Sequence, residues 1–156
     1  MYQNDFTFGR MLLAYRGPVE FKGRSTRTEL LGYLIISWLV SAILSRVLLI
    51  WLKDFDAVET ALIALNLLLS IPMPALAVRR AHDIGRYWHW SLPLLLPTLL
   101  IFVVGASLLG SVPGLLPLLG VLNIIGLVIL FWKPDDSANE FGPNPRLDEG
   151  PAFESV

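Results

Sequence analysis

The chain has 156 residues, 54% hydrophobic and 16% charged, with a mean hydropathy of +0.62. Soluble domains carry about 25% charged and about 45–50% apolar residues even with glycine counted, so a simple soluble enzyme domain is disfavoured. A net charge of −1 supplies no field for nucleic acid, and the absence of cysteine excludes disulfides, thiol catalysis and thiolate metal sites.

Residues 1–27 read as an N-terminal cytoplasmic or interfacial segment. Residues 5–15 place Phe8, Leu12 and Tyr15 on one helical face between Arg10 and Arg16, the pattern of a short helix lying on the inner membrane surface. The apolar patch at 11–15 is too short for a signal peptide, and Arg16-Gly17-Pro18 follows it, so no cleavable signal is expected. Thr26-Arg27-Thr28-Glu29 is a capping box, with Thr26 as N-cap and Glu29 three residues into the helix.

Charge-free runs organise residues 28–134 as a membrane domain. Residues 30–45 and 60–78 contain no Asp, Glu, Lys or Arg, and neither does 87–132. A helix crossing a hydrocarbon core of about 30 Å needs roughly 20 residues, so the first two runs supply one span each. The third would be roughly 69 Å long as a single helix and must fold back. Gly110-Ser111-Val112-Pro113-Gly114 provides the turn. The expected spans are about 30–52, 57–78, 88–109 and 115–132. Pro72 and Pro74 are expected to kink the inner end of the second span, and Trp51, Trp88, Trp90 and Trp132 fall near span ends, where indole rings favour the interface.

Lys and Arg set the orientation. Arg10, Arg16, Lys22, Arg24 and Arg27 precede the first span, Arg79, Arg80 and Arg86 occupy the second loop, and Lys133 and Arg146 lie in the tail. Only Lys53 lies in the first loop, and Arg46 is inside a span. This asymmetry puts both termini in the cytoplasm. The expected fold is an all-α integral membrane protein: a multi-pass, four-transmembrane-helix bundle with an N-terminal interfacial helix. Residues 135–156 read as a cytoplasmic tail, partly disordered and weakly ordered from 142 onward, where Pro and acidic residues concentrate.

Three clusters then share the cytoplasmic face: Phe21-Lys22-Gly23-Arg24-Ser25-Thr26-Arg27, Arg79-Arg80-Ala81-His82-Asp83-Ile84-Gly85-Arg86, and Asn139-Glu140-Phe141-Gly142-Pro143-Asn144-Pro145. In that order, with a Trp-rich helix after the second, they resemble the small bacterial inner-membrane proteins called YhaH-like, domain of unknown function 805. The resemblance covers roughly residues 21–145. It implies location and motif boundaries, and no reaction.

Chemistry is sparse. His82 and Asp83 invite an acid/base reading, but neighbours on a helix point about 100° apart and form no ordinary His–carboxylate pair. Asp83 is expected to pair with Arg79 or Arg80 one turn earlier, and His82 to bond a neighbouring loop. His82, Asp83 and His89 follow no common metal spacing, so neither metal nor cofactor is expected. The arginines are more informative, because guanidinium groups hold phosphate bidentately and basic pockets between helices bind anionic headgroups. The candidate anion site is Arg24, Arg27, Arg79, Arg80, His82, Asp83, Arg86 and Asn139, with Phe141 folding over it. Within the spans, Ser37, Ser41 and Ser45 form a stripe expected to face another helix, while Asn66 and Asn123 are isolated mid-span polar groups expected to be interhelical hydrogen-bond partners.

The function expected is therefore non-enzymatic: a membrane protein binding anionic phospholipid headgroups, or a protein partner, through an Arg-rich face. Partners are the lipid bilayer and a second copy or another membrane protein, not nucleic acid. The alternative is a small transporter or channel subunit using Asn66, Asn123 and Arg46. A third reading is a membrane enzyme acting on a phosphorylated lipid through His82 and Asp83.

Overall fold

The structure, a computed structural model, describes residues 8–15, 17, 19–52, 54–104 and 111–146. Among them the chain is all-helical. Helix α1 (Phe8–Leu12) runs into a 3₁₀ turn (Leu13–Tyr15), and the helices α2 (Arg27–Trp51), α3 (Phe55–Ser70) and α4 (Pro72–Asp83) follow. A second 3₁₀ turn (Trp88–Ser91) leads directly into α5 (Leu92–Val104), and α6 (Leu115–Leu130) completes the bundle. The one β pairing among the described residues is an isolated bridge between Asn139 and Gly142.

The starts of α2, α3 and α4 have local causes. The Thr26 hydroxyl accepts from the Glu29 amide at 3.3 Å and the Glu29 carboxylate accepts from the Thr26 amide at 3.2 Å, so the capping box closes both ways. Asp54 caps α3 by accepting from the Asp56 amide. Ile71 keeps helical dihedrals between α3 and α4, with Pro72 in the first position of α4, where its missing N–H is tolerated. The run Asp56–Asp83 is therefore nearly continuous. It and Arg27–Trp51 are, among the described residues, the two runs long and apolar enough to cross a membrane, each with mean hydropathy 2.1. The segments Trp88–Ile101 and Leu115–Leu130 are shorter apolar helices.

Several boundaries differ from expectation. The helix does not stop at 78, where the second span is expected to end, but continues to Asp83, so Arg79, Arg80, His82 and Asp83 are helical rather than in a loop. The continuation is possible because Arg80 and Asp83 find buried partners described below. The third expected span is described only as far as Val104, and residues 105–110 lie outside the described residues. The fourth ends at Leu130, with Phe131 as its C-cap. Helix α1 packs against α2 rather than standing apart from the bundle. Ala14 is fully buried, Tyr15 Oη lies 2.9 Å from Ser37 Oγ, and Gly32 makes room for Met11. Residues 5–7 of the expected interfacial helix lie outside the described residues.

The helices form two hairpins, α2 with α3 and α5 with α6. The second is tight: a Cβ on Gly126 would lie 2.7 Å from Leu94 Cα. Helix α4 links the hairpins, and the core gathers around it from Ala14, Leu30, Tyr33, Met73, Leu76, Ala77, Ala81, Leu94 and Leu130. The outer face of α2 is left apolar and exposed, with Ile43, Ile50 and Trp51 bare.

Candidate functional site

The site begins at the end of α4. Gly85 adopts φ +69°, a left-handed conformation that costs glycine little, and this lets the chain close a double C-cap. The Arg86 amide donates to the Ala81 carbonyl at 2.9 Å and the Gly85 amide to the His82 carbonyl at 3.1 Å. The cap turns the chain away from the helix just after Asp83, leaving that carboxylate facing the rest of the protein.

Asp83 is fully buried and collects three guanidinium groups. Arg24 Nε donates at 3.1 Å to Oδ1. Arg80, one turn earlier, donates to Oδ2. Arg146 binds both oxygens, Nη2 at 2.8 Å and Nη1 at 3.2 Å. Three cations on one carboxylate would repel one another, so the remaining N–H groups go to backbone carbonyls. Arg24 donates to the carbonyls of Ser137 and Asp135, and Arg80 to those of Leu130 and Trp132. The last two are at the carboxy end of α6, where the helix dipole favours a cation. Arg27 adds a bond to Trp132 O at 2.9 Å. A buried ion cluster persists when every member is hydrogen-bonded, and this one ties α2, α4, α6 and the tail together.

The tail segment, with the Asn-Pro composition of a loose end, is fastened to the bundle over residues 135–146. Asp135 N donates to Asp83 O at 2.9 Å, Asn139 Nδ2 to His82 O at 3.0 Å and Asn144 Nδ2 to Asp136 O at 3.0 Å. The side chains of Phe141 and His82 stack with ring centroids 4.1 Å apart and 3° between planes, while Tyr87 meets Phe141 edge-on at 5.5 Å. His82 Nδ1 donates to the carbonyl of Gly23 at 3.1 Å, Gly23 itself having φ +83°.

Two titrating groups on this cover are shifted. Asp135 is held below the usual carboxylate range, first by the Ser137 hydroxyl and then by the Ser137 amide. The Tyr87 phenol is pushed up, first by its hydrogen bond to Glu140 and then by that carboxylate's charge.

Of the residues singled out in the sequence, Arg24, Arg80, His82, Asp83, Asn139 and Phe141 meet, with Arg27 at the edge. Arg79 holds the chain by its carbonyl, which accepts from Ser25 N at 3.1 Å; its Nε and Nη2 are buried with no hydrogen-bond partner among the described residues. Asp83 thus pairs with Arg80, not Arg79. Arg86 stands outside the hub, its Cζ 4.9 Å over the Trp90 ring. It lines a cavity of about 560 Å³ with Ile84, Trp90, Ile129, Trp132, Lys133, Pro134 and Asp135. Arg46 is exposed and does not join Asn66 and Asn123, which share a separate cavity.

The adjacent His82 and Asp83 make no acid/base dyad. Asp83 accepts from three arginines, and His82 Nδ1 is spent on Gly23. Among the described residues no group of three or more His, Asp or Glu could hold a metal ion, so His82, Asp83 and His89 do not converge. Arg146 and the Asp135 backbone escaped the sequence reading. The available signal was the Asn144 side chain, whose type commonly bonds the amide two residues on; here it accepts from Arg146 N at 3.0 Å and so sets the arginine's approach.

Fold and site define a class: an all-helical protein with membrane-length apolar helices and an arginine–aspartate hub sealing one end. The chain belongs to the family described as a protein of unknown function (DUF805), whose model matches residues 18–143. The matched region contains α2 to α6, Asp83 and its partners Arg24 and Arg80; Arg146 lies just past it. No curated protein and no solved structure matches the chain.

Proposed function

We propose that this is a four-span bacterial inner-membrane protein, both termini cytoplasmic, that binds anionic phospholipid headgroups at its arginine-rich end. The cavity holding Arg86 carries this reading. Arg24, Arg80 and Arg146 are committed to Asp83 and to carbonyls, so they serve the fold. Arg86 has no ion pair among the described residues, and Lys133, mostly exposed, has only a 3.5 Å contact with Asp136. These two cations share one cavity with the rings of Trp90 and Trp132 and the apolar side chains of Ile84 and Ile129. That combination suits a phosphate above and acyl chains below, with indole rings at the boundary. Asp135 also lines the cavity and disfavours a dianion, which points to a singly charged phosphodiester.

The membrane setting is supported by α2, whose most apolar window has no residue buried inside the protein. A bare apolar surface of that length suits lipid and not water. The four-span count rests on the charge-free run 87–132, and the orientation on the Lys/Arg asymmetry.

The test is co-sedimentation or flotation of purified protein in nanodiscs or vesicles of phosphatidylglycerol against phosphatidylcholine, with mass spectrometry of co-purified lipid. Wild type should enrich phosphatidylglycerol, and Arg86→Gln with Lys133→Gln should lose most of that enrichment. Equal retention of both lipids, or enrichment unchanged in the double variant, overturns the headgroup reading. Capture of a protein partner that Arg86→Gln abolishes would replace the lipid with that partner.

A further inference from the structure

The two hairpins carry the same polar device at the same sequence interval. In the first, Ser41 Oγ on α2 donates to Asn66 Oδ1 on α3 at 3.0 Å across 25 residues, and Asn66 Nδ2 donates to the Leu62 carbonyl one turn earlier. In the second, Thr98 Oγ1 on α5 lies 3.0 Å from Asn123 Oδ1 on α6, again across 25 residues, its one proton shared with the Leu94 carbonyl at 2.7 Å, and Asn123 Nδ2 donates to the Leu119 carbonyl one turn earlier. All four side chains line one cavity of about 360 Å³ between the hairpins, together with Tyr33, Trp38, Met73 and Leu127.

Each asparagine amide has two N–H groups, and each spends one on its own helix. One donor therefore remains on each wall. The hydroxyl and amide dipoles there are costly in an apolar bundle unless used, and two of them face a shared space. The lining has no Asp, Glu, Lys, Arg or His. An ion would find no counter-charge in it. A volume of this size falls in the small-molecule range of roughly 300–1,000 Å³.

We infer that this cavity is a binding site for an uncharged, lipid-soluble molecule with hydrogen-bond acceptors at both ends of an apolar frame, the chemistry of a quinone headgroup, held between the amides of Asn66 and Asn123. The two walls are matched halves of one site, one from each hairpin, as in membrane proteins built from parallel repeats. Trp38, Met73 and Leu127 supply the apolar contact for the frame. The inference rests on reading these helices as membrane spans, which is what gives a lipid-soluble ligand access; it does not depend on the headgroup site.

The experiment is titration of the full-length protein in nanodiscs with a short-chain benzoquinone, read by quenching of tryptophan fluorescence with Trp38→Phe as the control for signal origin. Saturable quenching that is lost in Trp38→Phe is expected. Asn66→Ala and Asn123→Ala should each raise Kd by about tenfold. Phosphatidylglycerol enrichment should be unchanged in both, and quinone binding unchanged in Arg86→Gln, so failure of one site is distinct from failure of the other. Where an asparagine variant does not fold, crosslinking of wild type with an azidoquinone should label peptides containing Trp38, Asn66, Thr98 or Asn123. Absence of saturable quenching, affinity unchanged in folded asparagine variants, or labelling confined to other peptides overturns the assignment.

Discussion

Arg146 reaches Asp83 across 63 residues of sequence and binds both of its carboxylate oxygens, at 2.8 and 3.2 Å. The pair fastens the tail to the end of α4, and it does so at a carboxylate that Arg24 and Arg80 already occupy. The arrangement is cooperative in a specific sense. Each guanidinium is tolerated in the interior because the others, the carboxylate and the α6 carbonyls polarise one another.

Removing the shared counter-charge should therefore be costly. Asp83→Asn keeps the shape and removes the carboxylate charge that Arg24, Arg80 and Arg146 share, with an expected loss of about 3–5 kcal/mol in thermal or denaturant unfolding. Arg146→Gln alone should cost less, and the double variant should show coupling of at least about 1 kcal/mol. Additive losses would mean that Arg146 and Asp83 do not act as a unit.

Gly126 faces the backbone of Leu94 with no room for a methyl group. Gly126→Ala is expected to push α6 from α5 and to lower stability by about 1–3 kcal/mol. Gly120, with open space around its Cβ position, is the control; Gly120→Ala should be neutral or slightly stabilising. The comparison is read as melting temperatures under one detergent condition.

The C-cap of α4 predicts a graded series. Gly85→Ala must hold a side chain at φ +69° and should cost about 1–2 kcal/mol. Gly85→Asn should cost less, since asparagine tolerates that conformation. Equal losses for both would indicate that contacts, not backbone strain, select glycine there.

Asp135 makes the cover sensitive to acid. Its folded pKa is lowered, chiefly by the Ser137 hydroxyl, so its contribution is present above the unfolded value of about 3.9 and lost as pH falls through the folded value. Exchange protection of the Ser137 amide, corrected for intrinsic rates, should hold at about pH 6 and decline below about pH 4. Asp135→Asn should flatten that dependence.

Much of the site was legible before the fold. The capping box at Thr26 and Glu29 could be read directly because its bonds join residues three apart, and local geometry leaves little choice. The convergence of Arg24, Arg80, His82, Asp83 and Asn139 followed from depth, since each cluster abuts a helix end on the same side of the bundle. That Asn66 and Asn123 would hydrogen-bond across helices was legible; that Ser41 and Thr98 would be their partners, at one common interval, was not. Taken singly, each asparagine is an isolated polar residue, and their equivalence emerges only when both hairpins are set side by side.

Composition and periodicity established an all-helical chain with membrane-length apolar runs, because burial preference and helical rise act on each segment independently of its neighbours. They could not say which of several arginines would neutralise Asp83, how far α4 would extend past residue 78, or that a Pro-rich tail would bring Arg146 back to Asp83. Those outcomes depend on the desolvation of charges in a shared interior. Arg80 is chosen over Arg79 because its guanidinium also reaches the carboxy end of α6, and Arg146 is held because Asp83 has room for one more bidentate partner. Such choices arise only when four segments distant in sequence are brought within hydrogen-bonding reach.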